Sequence, residues 1–127
     1  MARTDVQREM KEMFGEVIGF IDEIPDQFMD AEWDLIKRVQ FGETLIPNKY
    51  KELIGLGVSA ATKCRYCALL HTESAKLFGA TDEEVEEAVH YTKLVAGWST
   101  YINGMQVDYD EFKAQVARVV EHVKAAA

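Results

Sequence analysis

Apolar residues recur along this chain at the spacing of an α-helix, and no stretch alternates cleanly with the period of two that a β-strand shows. The main interruptions are two prolines and eight glycines, which divide the sequence into about six segments. The predicted helices cover residues 4–24, 26–41, 49–61, 62–78, 81–102 and 108 onward. We therefore predict an all-α fold, with residues 1–127 forming a single domain that is long enough to bury its own core.

The charge of the chain restricts its partners. Lys and Arg number 14 against 22 Asp and Glu, which gives a net charge of −8 at neutral pH. An acidic surface repels phosphate backbones and anionic lipid, so neither nucleic acid nor a membrane is an expected partner. No apolar run approaches the roughly 18–20 residues that cross a bilayer, and the polar N-terminus lacks a signal-peptide core. We expect a cytoplasmic protein, in which stable structural disulfides are rare.

Both cysteines of the chain lie in one short stretch, CRYCALLH at residues 64–71. On a helix, Cys64 and Cys67 are three apart and Cys67 and His71 are four apart, so we expect all three side chains on one face. The first spacing also fits the Cα separation of about 4.4–6.8 Å that a disulfide needs. We expect this stretch to open the fourth helix, whose first turn favours a thiolate. In a cytoplasmic protein, such a pair indicates redox chemistry or metal binding.

A carboxylate upstream of the cysteines belongs to the same pattern. Glu52 lies twelve residues before Cys64, and its carboxylate can reach His71 if the two helices pack as an antiparallel pair. An imidazole that takes the thiol proton, oriented by a carboxylate, is a common way to activate a cysteine. Glu, Cys-x-x-Cys and His at these spacings resemble the core of the alkylhydroperoxidase D / carboxymuconolactone decarboxylase family, over about residues 47–104.

The resemblance implies a fold and a function. It implies an alkylhydroperoxidase D-like domain and a thiol-dependent oxidoreductase, a peroxidase or disulfide reductase with peroxiredoxin-like activity. Cys67 is then the cysteine that reacts with peroxide, and Cys64 the one that exchanges with the external reductant. The expected substrate is a small hydroperoxide or disulfide, and the expected reductant a lipoyl- or thioredoxin-like dithiol. The resemblance also implies a homotrimer or homohexamer, which fits helix faces too apolar for one small core to bury.

Tyr66 is the one departure from the motif. The family's alkylhydroperoxidase D branch has a second histidine immediately before the second cysteine, where this chain has Tyr66. We include Tyr66 among the candidate catalytic residues, because its hydroxyl can donate to a thiolate or its ring can cover the site. The full candidate set is Glu52, Cys64, Tyr66, Cys67 and His71.

Three alternatives accompany the redox interpretation. The family's decarboxylase branch acts on a carboxylated lactone and needs no redox thiols, so the paired cysteines favour the redox branch. Cys64, Cys67, His71 and Glu52 also make an acceptable zinc ligand set, although structural zinc usually joins distant loops. The third alternative is a helix that merely buries two cysteines and a histidine. The chain has no phosphate loop and no dinucleotide fingerprint, so we expect no nucleotide, flavin or haem, and no metal or other cofactor.

Overall fold

The computed structural model describes residues 2–127, which form seven helices and no strand. The all-α prediction is therefore confirmed. One helical segment is irregular: the third helix continues as a π-helical stretch over Ile36–Phe41. The helices are α1 Arg3–Phe14, α2 Gly19–Asp22, α3 Asp26–Leu35, α4 Asn48–Ala61, α5 Arg65–Leu77, α6 Asp82–Gly104 and α7 Tyr109–Ala126.

The predicted first helix over residues 4–24 is wrong, because the structure divides it into α1 and α2. Gly15 ends α1 with φ +86, and its N–H donates to the carbonyl of Lys11. A residue without a Cβ adopts this left-handed conformation at no steric cost, which makes it a common helix terminator. The extra helix makes the cysteine-bearing helix α5, the fifth in order and not the fourth.

The N-terminal helices enclose a compact core around Trp33, which is fully buried together with Val6, Met10, Ile21 and Met29. The indole N–H of Trp33 donates to Glu9 Oε2 at 2.6 Å, and Lys37 Nζ lies 2.8 Å from the same oxygen. The hydrogen bond from Lys37, followed by that from Trp33, lowers the pKa of Glu9. This ion pair fixes α1 against the C-terminal part of α3.

Three helices, α4, α5 and α6, form the part of the fold that carries the cysteines. Two contacts hold α6 along α4. Gly57 faces Thr92 at close range. A Cβ built at residue 57 would lie 2.9 Å from Thr92 Oγ1. Lys49 Nζ lies 2.8 Å from Glu84 Oε2, and this hydrogen bond raises the pKa of Lys49 and lowers that of Glu84. Gly57 therefore allows α6 to approach α4 closely.

The last helix, α7, is exposed along its whole length. Asp108 caps its start by accepting a hydrogen bond from the Glu111 N–H at 2.8 Å, as the sequence predicts. Its apolar residues lie on one side of the helix and form what we call the α7 stripe: Tyr109, Phe112, Val116, Val119, Val120 and Val123. Among the helices of residues 2–127, none combines the length and the apolar character that crossing a membrane requires.

Candidate active site

The cysteine stretch begins α5 with a side-chain cap. Cys64 is the residue before the first helical one and has an extended backbone, with φ −94 and ψ 102. Its sulfur accepts a hydrogen bond from the Cys67 N–H at 3.2 Å, and its own N–H donates to the carbonyl of Ser59 at 2.9 Å. The pair lies at the start of a helix as the sequence predicts, but α5 begins at Arg65 and not at residue 62, so Cys64 is the cap and not part of the first turn. The cap satisfies an N–H group that otherwise has no partner at a helix start.

A disulfide joins Cys64 and Cys67, whose Cα atoms lie 5.4 Å apart. The prediction that this three-residue spacing allows a disulfide within one chain is therefore confirmed. The bond joins the residue that caps α5 to a residue in the first turn of that helix.

Glu52 and His71 meet across the α4–α5 contact. Nδ1 of His71 lies 2.6 Å from Oε2 of Glu52, and the Glu52 residue is only 5% exposed. When the carboxylate is ionised it can only accept, so Nδ1 then carries the shared hydrogen and Nε2 is the nitrogen that is free to react. The packing runs antiparallel, because Glu52 pairs with His71 while Ser59, two turns later, pairs with Cys64. The predicted antiparallel helix pair is thus present.

Gly55 lets the histidine reach the carboxylate. A Cβ built at Gly55 would lie 2.7 Å from both Nδ1 and Cε1 of His71, inside the distance that real side chains tolerate. The same Nδ1 is hydrogen-bonded to Glu52, so moving the ring away from residue 55 would disturb that contact. The absence of a side chain at residue 55 is therefore what positions the imidazole.

This contact predicts opposite effects for two glycine-to-alanine changes. Gly55→Ala should lower the free energy of unfolding by about 0.5–2 kcal/mol, since overpacking costs about 1–3 kcal/mol and the gain in helix propensity offsets only about 0.5–1 kcal/mol of it. Gly97→Ala is the matched control in α6, because nothing lies within 4 Å of a Cβ there. Urea denaturation should show it neutral or stabilising, and a shift of both variants in the same direction would contradict the steric argument.

A largely apolar groove of about 420 Å³ opens beside Cys67 and His71. Its walls come from the π-helical stretch, the following loop and the outer face of α4. The apolar residues that line it are Val39, Ile46, Ile54 and Val58. Sequence reasoning did not assign these four residues to the site. Their only signal is that they are apolar yet exposed, which is visible only once the fold is known.

Lys51 fixes one wall of this groove. Its Nζ donates to the carbonyl of Val39 at 2.7 Å and to that of Gly42 at 3.0 Å. Both carbonyls belong to the C-terminal end of the π-helical stretch, where backbone acceptors lack helical partners. The lysine therefore ties that segment to α4 and holds the groove open beside the cysteine pair.

Tyr66 lies at the protein surface beside Arg65, although we expected it in the catalytic site. Its side chain is 74% exposed, the Arg65 guanidinium lies 5.2 Å from its ring centre, and Arg65 Nη2 lies 3.4 Å from its hydroxyl. The structure brings together Glu52, Cys67 and His71, with Cys64 on the far side of the disulfide. A catalytic role for Tyr66 stays a prediction.

The zinc alternative requires both cysteines as thiolate ligands, and in this state both are held in the disulfide. Over residues 2–127, no three His, Cys, Asp or Glu side chains cluster in a way that would hold a metal ion. The geometry of the four residues is that of a disulfide beside a carboxylate–imidazole pair.

Comparison with known proteins supports the family resemblance. The chain matches a curated protein of Paracoccus denitrificans, "Uncharacterized protein 4 in cox locus", with 32% identity over 61 residues, 48% of this chain and 55% of the relative. The chain thus spans about half the length of that relative. Its structure is similar to the crystal structure of the alkylhydroperoxidase AhpD core from Rhodospirillum rubrum, with a TM-score of 0.76, 26% identity, and 88% of this chain and 85% of the other covered.

The family match reaches well beyond the cysteine motif. The model of the carboxymuconolactone decarboxylase family matches residues 22–108, from the end of α2 to the loop before α7. This region contains both partners of the carboxylate–imidazole pair and both cysteines. A fold of this type that carries a Cys-x-x-Cys pair broadly supports a redox role. Since the match covers more than half of the sequence, the chain belongs to the carboxymuconolactone decarboxylase family.

Proposed function

We propose that this protein is a thiol-dependent oxidoreductase of the alkylhydroperoxidase type, which reduces small hydroperoxides with electrons from an external dithiol. The observation that carries this proposal is the position of one sulfur. Cys67 lies at the groove that His71 also lines, while His71 is held by the buried Glu52. Once the disulfide is reduced, the Cys67 thiol therefore borders a groove that is large enough for a small substrate and the His71 imidazole, which can accept its proton.

The reaction starts from the reduced pair. The Cys67 thiolate attacks the distal oxygen of the hydroperoxide, the O–O bond breaks, and the alkoxide leaves as an alcohol after taking a proton. Cys67 becomes a sulfenic acid. The Cys64 sulfur then attacks the Cys67 sulfur, the S–O bond breaks, and the oxygen leaves as water. The net result is two thiols and one hydroperoxide converted to one disulfide, one alcohol and one water.

The histidine supplies the proton transfers. A thiol near its usual pKa of about 8.5 is mainly protonated at neutral pH and must lose its proton to react. Because Nδ1 of His71 is engaged by Glu52, Nε2 is the nitrogen that accepts this proton and later returns it to the leaving alkoxide. The carboxylate fixes the ring orientation and stabilises the charged imidazolium. Glu52 is therefore a positioning residue, and His71 is the catalytic acid and base.

The test is a single-turnover oxidation. Reduced protein, freed of reductant, should lose two hydrogens in mass when one equivalent of an alkyl hydroperoxide is added, and should release one equivalent of alcohol. Dithiothreitol should restore the original mass. Cys64→Ser should instead stop at a sulfenic acid on Cys67, which dimedone traps. Two surviving thiols after hydroperoxide treatment would refute the proposal.

A second cysteine variant, Cys67→Ser, separates this proposal from the decarboxylase branch of the family. A decarboxylase that needs no redox thiols would keep its activity on a carboxylated lactone after Cys67→Ser. A peroxidase loses its turnover of hydroperoxide with that change. Retained decarboxylation in Cys67→Ser, without hydroperoxide oxidation in the parent, would assign the protein to the other branch.

We further propose that the protein works as a homo-oligomer, either a trimer or a hexamer. The support is the α7 stripe, whose six apolar side chains are each at least 39% exposed. Exposed apolar patches of this kind are uncommon on monomers and mark surfaces that another chain covers. A second copy of this chain is the simplest partner to bury this surface, because members of the similar family form homo-oligomers.

A further inference from the structure

The groove beside Cys67 has few polar side chains, and most of them already have partners within the protein. The hydroxyls of Ser59 and Thr62 each donate to the carbonyl four residues earlier, at 2.6 and 2.9 Å. The Lys51 ammonium donates to two carbonyls at the end of the π-helical stretch, and Glu52 is hydrogen-bonded to His71. The polar side chains of the groove are Gln40, Lys51, Glu52, Ser59, Thr62 and His71.

Gln40 is the exception in this set. Its side chain is exposed, and its amide forms no hydrogen bond with the other residues that the structure describes. Besides the groove, Gln40 lines a small recess of about 10 Å³ together with Glu52 and His71. Since a glutamine amide has two N–H donors, the site has uncommitted donors beside the imidazole.

The backbone on both sides of Gln40 is fixed. Gln40 lies within the π-helical stretch, and π-helical segments are rare and frequently occur at functional sites. The carbonyl of Val39, the residue before it, accepts a hydrogen bond from Lys51 Nζ at 2.7 Å. The carbonyl of Phe41, the residue after it, accepts one from Asn48 Nδ2 at 3.4 Å. These contacts keep residue 40 at the groove, while its own amide has no protein partner to leave when a substrate binds.

We propose that Gln40 is a further catalytic residue, which donates a hydrogen bond from its side-chain amide to the leaving oxygen of the hydroperoxide. This inference rests on the proposed function. When the Cys67 thiolate attacks the distal oxygen, the O–O bond breaks and its electron pair moves to the proximal oxygen, which becomes an alkoxide. An N–H group that meets this developing charge stabilises the transition state more than the bound substrate.

His71 and Gln40 act on the same oxygen in different ways. His71 Nε2 supplies the proton that converts the alkoxide into an alcohol. The Gln40 amide keeps both of its hydrogens and only donates a hydrogen bond, so the balance of atoms and electrons in the reaction is unchanged. A hydrogen bond to a charged partner corresponds to about 10–10²-fold in rate. This is less than the roughly 10²–10³-fold of an enclosed oxyanion-hole donor, because water can partly replace an exposed amide.

Three substitutions test the donor in single-turnover oxidation of the reduced protein by ethyl hydroperoxide. Gln40→Met keeps nearly the same length without an N–H donor and should be oxidised about 10–10²-fold more slowly. Gln40→Glu keeps the shape but replaces the donor with an acceptor, so it should be at least as slow. Gln115→Met removes an exposed amide from α7 and should react like the parent.

A change of oxidant separates donation from a role in shape or binding. Peracetic acid is close in size to ethyl hydroperoxide, but its leaving group is acetate, a weak base that needs little stabilisation. Gln40→Met should therefore lose much less rate with peracetic acid than with ethyl hydroperoxide. Alkylation of Cys67 by iodoacetamide in a Cys64→Ser background releases no alkoxide, so Gln40→Met should leave that rate unchanged.

The results that would overturn the inference are specific to Gln40. They are equal losses with the two oxidants, a Gln40→Glu protein that reacts as fast as the parent, and slower alkylation in Gln40→Met. A Gln40→Met protein that ethyl hydroperoxide oxidises as fast as the parent would refute this inference alone. A parent that ethyl hydroperoxide does not oxidise would refute the proposed function itself, and the role of Gln40 with it.

Discussion

Replacing His71 with alanine is expected to slow the reaction of Cys67 by about 10²–10⁴-fold at neutral pH, the usual contribution of a positioned general base. The change removes the acceptor of the thiol proton but leaves the cysteine itself intact. Alkylation of Cys67 by iodoacetamide, followed against pH in a Cys64→Ser background, reports the effect without a hydroperoxide. The pH at which the rate reaches half its maximum should move upward.

Glu52→Gln should produce a smaller loss of the same sign, because this side chain acts through His71. The glutamine keeps the size of the buried side chain but lacks the charge that stabilises the imidazolium. His90→Ala, on an exposed histidine of α6, is the matched control and should leave the profile unchanged. If Glu52→Gln accelerates the thiol, the carboxylate repels the thiolate instead of orienting the ring. If neither variant changes the pH dependence of alkylation while circular dichroism shows an intact helical fold, the Glu52–His71 relay is refuted. Only the disulfide chemistry of the cysteine pair would then remain.

Helix ends that are set by local chemistry were predictable from the sequence. Thr81 and Glu84 form the expected reciprocal cap of α6, with both hydrogen bonds at 3.0 Å, and Asp108 caps α7. Each of these caps involves residues three apart, so the sequence contains the whole interaction. The break at Gly15 follows the same kind of rule, and the periodic apolar pattern across it misled the prediction of one long helix.

The core of the site was predictable because its parts lie on two successive helices. Cys67 and His71 share a face by helical spacing, and Glu52 reaches them through the antiparallel packing that a short connection enforces. The helix start was predicted at residue 62, whereas α5 begins at Arg65 and leaves Cys64 as its cap.

The groove walls were beyond the reach of the sequence. Val39 and Ile46 come from a π-helical stretch and a loop. Lys51 fixes this wall through the carbonyls of Val39 and Gly42, which any sequence would offer. Contacts of this kind depend on how distant segments pack and not on a local pattern.

Replacing Val119 with aspartate is expected to convert an oligomer into a species near the chain mass of 14.4 kDa. Val119 lies within the α7 stripe and is 54% exposed in the single chain, and burying a valine contributes about 1.5–3 kcal/mol per subunit, which a buried unpaired carboxylate reverses. Light scattering of the parent should give a multiple of the chain mass. Ala114→Asp adds the same charge on the opposite side of α7 and should leave the assembly intact. A parent that is monomeric at micromolar concentration would contradict the proposed assembly.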